Sequence, residues 1–227
     1  MFIVTLCDLR VKVGAHSQAV FMARLTRLLI GVNVAVFALE AVSGPWLLAS
    51  FALWPVGHFS VAQFDSPVGF KVWQLITCGF LHANFLHLAI NMYALWMFGS
   101  DVERSVGPRH YLRLYFASLL SSSVTQLLVV SMMTGADVYP TVGASGAIFG
   151  ILLVFGLLFP RRTIVLLIPP IPMPAIVFVI LYALLELFSG VFGTDQGVAH
   201  FAHLGGMIGA YLTLRHWRSR ERAMYYS

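Results

Sequence analysis

The chain has 227 residues, 59% of them hydrophobic and only 10% charged, with a net charge of +5 and a mean hydropathy of +0.85. Soluble domains are roughly 25% charged, so the composition excludes a soluble enzyme on a single anchor and indicates a polytopic membrane protein whose spans use up nearly all of the chain. The basic balance does not call for nucleic acid as a partner: the Lys and Arg residues flank apolar windows, where they set topology.

In chain order, Met1–Asp8 lacks a charged segment followed by a long apolar run. No cleavable signal peptide is expected, and the first span would serve for targeting. A helical span needs about 20 mostly apolar residues. Six windows fit, at 25–43, 84–100, 111–133, 145–160, 174–192 and 199–214. The expected organisation is an N-terminal cytoplasmic segment (1–24), an all-α membrane domain of six transmembrane helices (25–214) and a basic cytoplasmic tail (215–227). The stretch 44–83 is broken by Gly and Pro and carries Trp46, Trp54 and Trp73; it predicts amphipathic pieces lying in the interface. The prolines between Ile164 and Pro174 predict an extended connector before the fifth helix. Cys7 and Cys78 are too few for a disulfide framework, and this topology puts them on opposite sides of the membrane.

Six spans place 13 of the 14 basic residues on one side and leave only Lys71 on the other. The positive-inside rule makes the first side cytoplasmic, with both termini there. Depth follows from helical rise. Ser145 is 16 residues from Arg161, or roughly 24 Å at 1.5 Å per residue. By the same rise His203 stands about 18 Å above Arg215, and His87 and Asn91 stand about 25 and 20 Å above Arg104. All four polar groups fall in the outer half of a bilayer core about 30 Å thick, where polar side chains are costly and mark function.

His87 and Asn91 are spaced i, i+4 and share a helix face. Gly146 with Gly150, Gly205 with Gly209, and Gly206 with Ala210 form small-xxx-small pairs that let helices approach closely in lipid. Packing of the fourth and sixth helices through these pairs would bring Ser145 and His203 together, with Phe149 one turn below Ser145 stacked on the imidazole. A serine hydroxyl becomes a nucleophile when a base takes its proton, and a neutral imidazole can do so. The tetrahedral oxyanion needs donors, for which His87, Asn91 and the Ser145 backbone N–H are the candidates.

These residues carry a resemblance. The stretches Trp73-Gln74-Leu75-Ile76-Thr77, Phe80-Leu81-His82-Ala83-Asn84-Phe85-Leu86-His87 with Asn91, Glu103-Arg104 with Gly107, Gly143-Ala144-Ser145-Gly146 and His203-Leu204-Gly205-Gly206 occur in this order. Together the chain resembles the rhomboid intramembrane serine proteases of the basic six-helix form. The resemblance implies a six-helix bundle and a Ser145–His203 dyad without an acidic third member. It implies an oxyanion site of His87, Asn91 and the Ser145 N–H, supported by Gly143, Gly146, Phe149 and Gly206. It also implies cleavage of single-pass membrane proteins near their outer helix end, with small residues favoured at the cut and the second and fifth helices as a lateral gate. No cofactor and no metal are implied; membrane lipid is the surrounding partner. Compact length fits a bacterial inner membrane, with the site open to the outer side. Gln74 is a departure, since many members carry Arg after the Trp; it puts the stability of that loop in doubt.

Plainer readings stand beside this one. Ser118, Ser121, Ser122, Ser123 and Ser131 read as small packing residues. His82 reads as a loop buttress by hydrogen bonding, and His200 as structural. His200 with His203, or His82 with His87, could suggest metal, but the His-Glu-x-x-His pattern of a zinc peptidase is absent. Asp137 and Asp195 lie in outer loops as alternative triad members. Glu40 and Glu186 are acids near outer helix ends, solvated or paired there. Glu103 and Arg104 would lock the second helix to the cytoplasmic loop. The competing functions are a catalytically inert relative that binds membrane clients and a small transporter; the second would need a continuous polar path, whereas the polar groups cluster in one half.

Overall fold

A computed structural model describes residues 23–132, 139–165, 170–192 and 199–225. The expectations for 1–22, including Cys7, and for Asp137 and Asp195 concern positions outside the described residues. The molecule is mostly helical. Helix α1 spans Arg24–Ser43 and the short α2 spans Trp46–Phe51. Helix α3, Gln74–Thr77, runs into a 3-10 turn over Cys78–Phe80. Helix α4 (Phe85–Ala94) passes through a π turn at Leu95–Gly99 into α5 (Ser100–Val106). Then come α6 (Pro108–Met132), α7 (Ser145–Leu158), α8 (Ala175–Phe192) and α9 (His200–Tyr225).

Each of the six expected windows holds a helix. Three are long and apolar enough to cross a membrane alone: Arg24–Ser43, Pro108–Val130 and Ala175–Phe192. The run Phe85–Val106 passes the same test together with Gln74–Phe80, from which it bends by 96°, and Ser145–Leu158 is a shorter apolar helix. The proline-rich connector is extended, and it also pairs: β1 (Thr163–Val165) and β2 (Pro172–Pro174) form an antiparallel ribbon, a small exception to an all-α fold. Residues 215–225, expected as a basic tail, are helical. They continue α9, where Trp217 stacks on His110 of α6 with centroids 3.9 Å apart.

The core is built around α7, α6 and α9. Ten of the 14 residues of α7 are buried, so this helix is apolar all round because it is surrounded. Close approach depends on glycine. A Cβ on Gly206 would stand 1.9 Å from the carbonyl oxygen of Gly146, which sets the α7–α9 contact. Gly150 shares this seam, since a Cβ there would stand 2.9 Å from the Gly206 carbonyl oxygen, but the glycines serve a second seam as well. Gly205 and Gly209 face α6, where a Cβ would meet Thr125 and Ser121. Gly146 and Gly150 also face α6, at Ser122 and Ser118. Ser118, Ser121 and Ser122 of α6 thus pack as small residues against the glycines of two helices, and α6 wedges behind both. Ser123 adds a hydrogen bond to the Leu75 carbonyl at 2.9 Å.

The stretch 44–83 is more than a set of interfacial pieces. It has its own apolar core of Leu47, Ala52, Trp54, Val68 and Leu81. Trp46 and Trp73 are exposed, but Trp54 is fully buried and its indole N–H donates to the Leu48 carbonyl. Gln74 makes four hydrogen bonds to the backbone of this loop. Its side chain is fully buried; Oε1 accepts from the backbone N–H of Trp54 and Lys71, and Nε2 donates to the carbonyls of Ser50 and Gly69. At the other end of the bundle, Glu103 caps α1. Its carboxylate accepts from the N–H groups of Leu25 and Thr26 and from the Thr26 hydroxyl, filling donors left open at a helix start. Asp101 pairs with both Arg104 and Arg162, tying α5 to the turn after α7.

Candidate active site

Ser145 is the first residue of α7, so its backbone N–H has no acceptor within the helix. Gly143 just before it has φ +124°, a conformation that L side chains rarely adopt. A Cβ there would also stand 2.7 Å from the His87 ring. The Gly143 N–H donates to the Cys78 carbonyl at 2.9 Å, which ties this turn to the loop before α4.

The Ser145 Oγ lies 2.8 Å from His203 Nε2. Phe149 is stacked on the His203 ring, with centroids 4.2 Å apart and planes within 6°. The residues are brought together because Ser145 opens α7, His203 lies in the first turn of α9, and Gly206 lets these helices touch one turn deeper. Such a pair can pass the hydroxyl proton to the imidazole.

His87 and Asn91 of α4 line the same cavity as Ser145, Gly143 and His203; its volume is about 550 Å³. Asn91 is 4% exposed, and its Nδ2 has no hydrogen-bond partner among the described residues. A buried amide donor without a partner is uncommon; beside a nucleophile it is available to a developing oxyanion. Asn84 caps α4 by accepting from the His87 N–H at 2.9 Å, which sets where His87 and Asn91 begin. His82 buttresses the loop by ring packing and by its backbone N–H, which donates to Glu40. Its ring meets that of His87 edge-on at 5.2 Å, and both its ring nitrogens lack partners among the described residues.

Two acids have specific places. The Glu40 carboxylate accepts from the His82 backbone N–H at 3.2 Å, so it holds the loop before α4. Glu186 takes the paired alternative: it is 5% exposed, and its Oε2 lies 3.0 Å from His203 Nδ1 and 2.7 Å from His200 Nδ1. The reading of the residues missed this contact. The available signal was a lone acid within an otherwise uncharged apolar helix, with His200 and His203 one turn apart. The ligand-capable atoms of Glu186, His200 and His203 all lie within 4.8 Å of one another, and these hydrogen bonds account for that cluster.

Comparison with known proteins now bears on the site. The family model of the Rhomboid domain matches residues 69–218. The chain belongs to the rhomboid family. It is similar to Rhomboid protein 1, mitochondrial, of Saccharomyces cerevisiae, at 35% identity over 63% of this chain and 39% of that protein. It is also similar to Rhomboid protease GlpG of Yersinia pestis, at 25% identity over 88% of this chain and 64% of that protein. Rhomboid protease GluP of Bacillus subtilis matches at 40% identity over 35% of this rhomboid chain and 14% of its own length. The chain therefore spans less than half of the yeast relative and just under two thirds of GlpG. The matched stretch includes every residue of the cavity pair and of α4. The relatives' names place them in mitochondria and chloroplasts as well as in bacterial species, so the bacterial inner membrane expected from chain length gains no specific support.

Proposed function

We propose that this rhomboid protein is an intramembrane serine endopeptidase that cleaves transmembrane segments of single-pass membrane proteins through an acyl-enzyme on Ser145. The observation that carries the proposal is the 2.8 Å contact between Ser145 Oγ and His203 Nε2, in a cavity that also offers the unpartnered amide of Asn91. Similarity to two proteins named as rhomboid proteases supports it.

In this mechanism His203 Nε2 takes the Ser145 proton as Oγ attacks the scissile carbonyl carbon. The resulting oxyanion is received by the Ser145 N–H, the Asn91 amide and the His87 ring, and losing one such donor typically costs ~10²–10³ in rate. The imidazolium returns its proton to the leaving amine as the C–N bond breaks. Water, deprotonated by the same imidazole, then hydrolyses the ester and restores Ser145. No cofactor takes part.

Substrate access is lateral. The cavity is flanked by Ile90 and Tyr93 of α4 and by Phe178 and Tyr182 of α8. Both helices carry exposed apolar side chains, among them Leu86 and Ile90 on α4 and Leu181, Leu184 and Phe188 on α8. A transmembrane segment in lipid would meet the cavity between them, which is the gate formed by the second and fifth spans. Six spans with both termini cytoplasmic put 13 of 14 basic residues on one side and the Ser145 end towards the other, from which water enters.

Covalent labelling tests the chemistry without a known substrate. A fluorophosphonate should form an adduct on Ser145, mapped by mass spectrometry, and labelling should vanish in His203→Ala at equal folded yield. Labelling that ignores His203, or that falls on another residue, would remove the proposal. An inert client-binding relative would give no adduct.

A further inference from the structure

The dyad expected from the resemblance leaves His203 without a partner on its far side. The structure supplies one. We propose that Glu186 is a positioning residue for His203, braced by His200, and that it makes the base competent only while α8 is docked on α9; the inference rests on the protease reading above.

Helix α8 is otherwise without charge over Ala175–Phe192, and an acid on such a helix is expensive unless it is paired. Glu186 is buried and turned towards α9, with both of its contacts on one oxygen. A carboxylate only accepts hydrogen bonds, so each Nδ1 that bonds it carries the proton. For His203 this choice decides the chemistry. With the proton on Nδ1, Nε2 has its lone pair free to accept the Ser145 Oγ–H, which is the tautomer a general base needs. With the proton on Nε2, the ring could not take the serine proton.

His200 has a separate part. It lies one turn before His203 and reaches the same oxygen at 2.7 Å, so it holds the carboxylate in the rotamer that serves His203. Its Nε2 is buried without a partner among the described residues, and Glu186 is the polar contact that accounts for its orientation. Phe149 fixes the plane of the His203 ring by stacking, but stacking does not choose a tautomer. The carboxylate does.

Three elements thus supply the line Ser145, His203, Glu186: α7, α9 and α8. Helix α8 also contributes Phe178 and Tyr182 to the cavity. Its approach to α9 depends on Gly190, where a Cβ would stand 3.0 Å from Phe201 and 3.3 Å from the Cβ of His200. Any displacement of α8 that separates this crossing removes the acceptor from His203 Nδ1.

The test compares the full chain in detergent as wild type, Glu186→Gln, Glu186→Asp and His200→Phe, with thermal unfolding to confirm folding. Two readouts are taken: steady-state cleavage of a fluorescent single-span peptide, and ¹⁵N–¹H spectra of histidine-labelled protein, which report the His203 tautomer directly. The expected result is a fall in kcat on the order of 10²-fold for Glu186→Gln with KM unchanged. Partial recovery in Glu186→Asp, a smaller loss in His200→Phe, and loss of the wild-type Nδ1–H signal of His203 in Glu186→Gln complete it. An unchanged kcat and an unchanged His203 spectrum in folded Glu186→Gln would overturn the inference while leaving the protease reading in place. A wild type that neither labels nor cleaves, yet loses the His203 signal in Glu186→Gln, would overturn the protease reading and keep the positioning role. Activity abolished by EDTA would overturn the inference in favour of a metal held by the same three side chains.

Discussion

The proposed chemistry rests on single side chains, and they were not equally legible. Ser145, His203, His87 and Asn91 stood out because polar groups at one depth in apolar helices are costly and few. Glu186 was visible as an anomaly, but its partners lie 14 and 17 positions away on another helix, and no spacing rule connects them. Gln74 stood out only as a departure from the Arg that many family members carry there; its four bonds come from segments up to 24 residues away. Two outcomes follow at this scale. Asn91→Ala should lower kcat by ~10²–10³ with little change in KM, since the amide would act only on the oxyanion; steady-state cleavage of a single-span peptide checks it. Gln74→Leu should destabilise the protein by about 1–3 kcal/mol, because it strands the buried N–H of Trp54. Equilibrium unfolding in mild detergent reads this, and unchanged stability would deny Gln74 its organising role.

Among elements, the helices were readable from hydropathy and their start points from composition, but their neighbours were not. The small-xxx-small pairs correctly marked close approaches, yet such a motif does not say which helix approaches. Gly206 meets α7, whereas Gly205, one residue earlier and about 100° round the helix, meets α6. The cost of filling these contacts differs. Gly206→Leu collides with the backbone of Gly146 and should separate Ser145 from His203. A displacement of about 1 Å is expected to cost ~10² in rate, with fluorophosphonate labelling falling in parallel. Gly190→Leu touches no residue of the cavity pair, but it pushes on Phe201 and His200. It should lower kcat in the same manner as Glu186→Gln, and retention of full activity would mean that α8 need not stay docked.

On the scale of the whole molecule, the two ends of the bundle do different work. The Ser145 end holds the cavity, the glycine turn at Gly143 and the loop core around Trp54. The opposite end is stapled by Glu103 on the start of α1 and by Asp101 between Arg104 and Arg162. This division suits a protein that opens to water at one end while remaining closed at the other, and it leaves no polar path of the kind a transporter needs among the groups that the sequence suggested for one: Glu40 binds a loop N–H and Glu186 binds two imidazoles. Glu103→Ala should cost about 2–3 kcal/mol, since it removes a charged acceptor from three donors, while leaving the distant site's kcat intact in the folded fraction.

The most direct measurement of the central claim is cleavage of a fluorescent single-span membrane protein in liposomes by wild type, Ser145→Ala and His203→Ala, at matched folded yield. The expected result is one cut near the end of the substrate helix that shares the depth of Ser145, made by wild type and by neither variant. Equal cleavage by Ser145→Ala would contradict it.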